Sequence, residues 1–115
     1  MSPHDFVTKL SAAVVDENNA IYRNLLLNTA VRQAPDPYWQ RVLGLFGELT
    51  ADQREVLLEL TRQVTIDAAA NVLGVIDGTR ALDGRGGAFR LMYDGQDLAG
   101  DLQSLFLEHA EHGTP

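Results

Sequence analysis

The chain has 115 residues, enough for one domain that can bury a core without staples. Its composition, 45% hydrophobic and 22% charged, is that of a globular protein rather than a disordered one. The absence of cysteine excludes disulfides, thiolate metal sites and thiol catalysis, and a net charge of −7 with nine scattered Lys and Arg argues against nucleic-acid binding through phosphates.

The N-terminus MSPHDFVTKL has neither a basic n-region nor an apolar h-region, and no apolar run approaches the length of a membrane span. A soluble, unexported, cytoplasmic protein is therefore expected.

A first helix is predicted from Ser2 to about Asn28. Ser2 suits the N-cap, Pro3 the first helical position and Asp5 the acid of a capping box. Phe6, Leu10, Ala13, Val14, Ile21 and Leu25 recur with helical period. Glu17, Asn24 and Asn28 interrupt that stripe. Asp16-Glu17-Asn18-Asn19 is a poor helix-forming run, where a kink is expected. Unbroken, the helix would be roughly 40 Å long, so it must span the domain or project from it to pair with another subunit.

Thr29 to Asp36 reads as a connector. Asp36 is a good N-cap with Pro37 behind it, opening a second helix to about Leu49. Tyr38, Trp39, Val42, Leu43, Leu45, Phe46 and Leu49 cover a broad arc of it. Gly44 and Gly47 fall opposite, where another backbone could approach.

A third helix runs from Thr50 to Asp77. Thr50 and Gln53 form a T-x-x-Q capping box, and the tight junction predicts an antiparallel hairpin of helices. Thr50 to Val64 is amphipathic, with Val56, Leu57, Leu60 and Val64, continued by Ala68 and Val75, as the apolar stripe expected to pair with the second helix. Thr65 to Asp77 is apolar on several sides, as in a core or a subunit interface, yet contains Asp67 and Asn71. Gly78 is the expected left-handed stop.

Beyond Gly78 the grammar changes. Gly84-Arg85-Gly86-Gly87 reads as a loop. Residues 89–93 and 96–99 read as a β-hairpin across Asp94-Gly95, with Tyr93 facing Gln96 and Leu91 facing Leu98. In that register Phe89, Leu91, Tyr93 and Leu98 share one face. A fourth helix follows from Asp101, its N-cap, to Glu111. Leu102, Leu105, Phe106 and His109 form its inner stripe, and the tail from His112 is expected to fray. The predicted fold is mainly α: one four-helix bundle-like domain, residues 1–115, with a short hairpin between helices 3 and 4.

Chemistry is sparsely signalled. Glu17 and Asp67 would form a carboxylate pair if the first and third helices packed side by side, with Asn71 one turn beyond. Such a pair can hold Mg²⁺. Mg²⁺-dependent all-α hydrolases carry dense E-x-x-E and E-x-x-D pairs where the first and third helices here carry D-E-N-N and D-A-A-A-N, and a structural hydrogen-bond network is the plainer expectation. His109-x-x-His112 has chelating spacing but lacks further ligands nearby in sequence. No nucleophile has a local base. Five acids and no Lys or Arg follow Arg90, which makes the C-terminal end an acidic surface. Asp97, Asp101 and Glu108 are its candidate contacts for a basic partner.

The leading expectation is a non-enzymatic interaction or assembly module that needs no cofactor and pairs as a homodimer through a helical interface. The alternatives are a Mg²⁺-dependent hydrolase of a phosphorylated small molecule, and an acidic inhibitor or immunity-type protein.

Overall fold

The computed structural model describes residues 1–84 and 89–112. Helices dominate it. α1 covers Pro3–Ser11 and continues through a π-helical stretch, Ala12–Glu17, into α2, Asn18–Asn28. A 3-10 turn, Val31–Gln33, leads to α3, Pro37–Glu48, and then to α4, Ala51–Asp77. Two short strands, β1 (Met92–Tyr93) and β2 (Gln96–Asp97), precede α5, Leu102–His112. The expected loop at 84–87 and the tail beyond His112 fall largely outside the described residues.

The helix starts are those the caps specify. Ser2 Oγ accepts from the Asp5 amide at 3.0 Å, and the Asp5 carboxylate accepts from the Ser2 amide. That backbone hydrogen bond from Ser2, seconded by the Ser2 side chain, holds the Asp5 carboxyl below its ordinary value. Asp36 Oδ1 accepts from the Trp39 amide at 2.9 Å, and Pro37 occupies the first turn of α3. Thr50 and Gln53 close a reciprocal box on α4, which ends at Gly78 with φ of 85°. Where a kink is expected, the helix is continuous, and a π-helical stretch ends at Glu17, just ahead of the two asparagines.

The main core lies where α1, the C-terminal half of α4 and α5 meet. α1 and the π stretch supply Val7 and Val15, α4 supplies Ile66, Ala70 and Leu73, and α5 supplies Leu102 and Phe106. Gly74 allows α4 to approach α5 closely. A Cβ there would stand 2.9 Å from Gln103 Nε2, and Thr79 Oγ1 holds the Gln103 amide oxygen at 3.1 Å.

The hairpin has the predicted register, with Tyr93 opposite Gln96 and Leu98 N–H donating to Leu91 O at 2.7 Å. Asp94 and Gly95 both have positive φ, the conformation a two-residue turn demands. Only half of its expected apolar face is covered. Leu98 is buried and Leu91 packs on the core, whereas Phe89 and Tyr93 are exposed.

The other end of the molecule is thinly packed. α2 has no buried residue, and α3 and α4 make few close backbone approaches, so the side-by-side antiparallel pairing expected of them is not seen beyond their junction. Arg54 ties their junction. Its guanidinium lies 5.1 Å from the Phe46 ring and donates to Phe46 O and Gly47 O, both at 3.1 Å. Leu43, Phe46 and Leu58 are buried in this region. No backbone approaches Gly44 or Gly47 closely enough to meet an added Cβ.

Candidate functional site

Residues 65–77 of α4 are not covered on several sides. Ile66, Ala70, Leu73 and Gly74 face the core, while Asp67, Asn71 and Val72 are exposed. The polar pair therefore follows the outer face of the helix. Asp67 Oδ1 accepts from Gln63 Nε2 at 2.9 Å, one turn earlier on the same helix. Glu17 is exposed at the end of the π stretch. Its neighbour Asp16, rather than Glu17, crosses to α4, where Arg62 binds it at 2.9 Å. Asn24 and Asn28 are exposed and hydrogen-bonded to each other.

The fold gathers residues that sequence spacing kept apart. His4 joins Glu108, His109 and His112 around one open concavity where α1 begins and α5 ends. Among the described residues, no group of three or more His, Asp or Glu is placed to hold a metal ion. Melting temperature is accordingly expected to be unchanged by millimolar Mg²⁺ or Mn²⁺. A rise would point to a native-state site and revive the hydrolase alternative.

Of the acidic candidates, Asp97 accepts from the Ala99 amide at 3.0 Å, and Asp101 and Glu108 are exposed. Asp101 holds the N-cap position of α5, and its carbonyl accepts from Leu105 N–H. The carboxylate serving that helix end is instead Asp77, at the end of α4. Asp77 Oδ1 accepts from the Gly100 and Leu102 amides at 2.8 and 3.1 Å, and Oδ2 from Gln103 at 2.8 Å. An acid donated from another helix leaves no local sequence signature.

Large apolar side chains stand exposed on three helices. Ile21, Tyr22, Leu25 and Leu27 on α2, Tyr38 and Leu45 on α3, and Val56, Leu60, Val64 and Val72 on α4 are all exposed. Between α2 and α4 run two grooves. One has a floor of Ala20 and Leu58 and a charged rim of Arg23, Glu55, Glu59 and Arg62, with Arg23 bridging to Glu55. The other is apolar, lined by Asn18, Tyr22, Leu60, Thr61, Val64 and Thr65. A third cleft, of 280 Å³, lies between α2 and α3 around Leu25, Trp39 and Leu43, where Trp39 packs 6.0 Å from Tyr22.

Among the described residues no helix is long and apolar enough to cross a membrane. Comparison with protein-family models, with curated proteins and with solved structures gives no match. The surface itself therefore carries the functional reading.

Proposed function

We propose that the protein is a non-enzymatic assembly module that works as a homodimer through its helical surface, completing between two chains the bundle that one chain leaves open. The observation that carries this reading is incomplete self-burial. The radius of gyration is 17.5 Å, against roughly 13 Å for a compact domain of this length. The accessible surface is 7924 Å², about 1,700 Å² more than the scaling for a folded monomer of this mass. Permanent dimers bury roughly 1,000 Å² or more per chain, so the excess matches what such an interface removes. The α2, α3 and α4 surfaces supply apolar side chains for it.

A dimer that is more folded than its monomer melts at a temperature that rises with protein concentration. The expected result is a rise of several degrees between 1 and 100 µM, and a constant melting temperature would reject the reading. Salt gives a second, directional check. Each copy carries a charge of −7, so screening should preserve or strengthen self-association. Capture of a basic partner by Asp97, Asp101 and Glu108, the inhibitor-type alternative, would weaken as salt rises.

A further inference from the structure

We infer that two copies meet antiparallel at α4, with a two-fold axis at Val64 that packs Leu60, Val64 and Ala68 of each chain against the same residues of the partner, beside the apolar α2–α4 groove. This rests on the homodimer reading and adds the site and the direction of pairing.

Residues four apart on a helix form a continuous ridge. Val56, Leu60, Val64 and Val72 are 57–63% exposed, whereas Leu58, Ile66 and Leu73 of the same helix are at most 7% exposed. α4 therefore carries an apolar ridge, turning about 40° around the helix at each step, that the chain leaves uncovered. The free ridge borders the apolar groove that also contains Tyr22, and both are centred on Leu60 and Val64.

The row is also symmetric about its middle. Rotation about Val64 sets Leu60 against the partner's Ala68, a large residue facing a small one, while Val56 and Val72, each about 80° around the helix from Val64, flank the contact. Parallel pairing would instead set Asp67 against the partner's Asp67, a like-charge contact. Antiparallel pairing sets it against the partner's Thr61. The row contains no charged residue, and the Arg23–Glu55 bridge lines the other groove. On α3, by contrast, Arg41 lies 6.0 Å from the Tyr38 ring and places a cation beside that exposed pair.

The test uses the full chain at 50 µM in sedimentation velocity, with circular dichroism to confirm helix content. Leu60→Lys and Val64→Asp are each expected to weaken dimerisation at least tenfold and leave helicity intact, while Leu45→Lys on α3 stays dimeric. The absence of native cysteine permits a cross-linking arm. Val64→Cys, on the axis, should oxidise to a covalent dimer, and Val72→Cys, held far from its own copy, should not. A dimer that survives Leu60→Lys and Val64→Asp, or resists cross-linking through Val64→Cys, overturns the α4 placement and leaves the homodimer reading standing. Equal cross-linking through Val72→Cys overturns the antiparallel direction. A wild-type chain that is monomeric at 50 µM removes both readings together.

Discussion

Phe106→Ala is expected to lose about 3–5 kcal/mol of folding stability, the usual cost of removing a fully buried aromatic ring. Phe106 has no solvent exposure and sits among Val7, Val15, Ile66 and Leu73, where α1, α4 and α5 converge. Only this junction gathers all three helices. Neighbouring side chains are anchored on separate elements and cannot collapse into the void without shifting a helix. Small domains hold roughly 5–15 kcal/mol in total, so the variant should stand near the edge of unfolding. Urea titration would measure it. A loss below 1 kcal/mol would mean that the core is not organised around this ring.

Asp77→Ala should cost about 2–4 kcal/mol, because three amides at the start of α5 lose a charged acceptor at once. Hydrogen bonds to charged groups typically contribute ~1.5–3 kcal/mol each, and water replaces part of what the variant loses. The negative charge also sits at the positive end of the α5 dipole. Amide exchange locates the effect: protection should fall first at Gly100, Leu102 and Gln103, before the centre of α4 responds. Asp101→Ala, at the position that sequence pattern favours for the cap, should change protection there far less. Equal losses from the two variants would contradict the role given to Asp77.

The contrast between these two aspartates shows what was legible in the sequence. Local devices were readable because their chemistry is complete within a few residues. The Ser2–Asp5 and Thr50–Gln53 boxes, the Asp36-Pro37 start, the Gly78 stop and the Asp94-Gly95 turn all appear where their residue types place them. The hairpin register followed from its turn. Devices assembled across the fold left no such mark. Asp77 caps a helix that begins 25 residues later, Arg54 reaches back to the carbonyls ending α3, and His4 lines one concavity with the histidines of α5.

Burial was only half legible. Periodicity identified the apolar faces of α4 but could not say which of them the same chain would cover. Residues 65–77 were expected to be enclosed, and the fold encloses one side. Asp67 and Asn71 are exposed with Val72, and therefore need no buried partner. The length of the first helix pointed the same way more directly. Its first part, with the π stretch, buries Val7 and Val15, and its last part, α2, buries nothing. The choice between spanning the domain and projecting from it is thus divided within one helix.

The central claim is that the apolar surface left open by one chain is closed by another. Sedimentation equilibrium of the wild-type protein at tens of micromolar tests it most directly. The account predicts a mass twice that of the chain, falling toward the monomer on dilution. A single-chain mass throughout that range would contradict it.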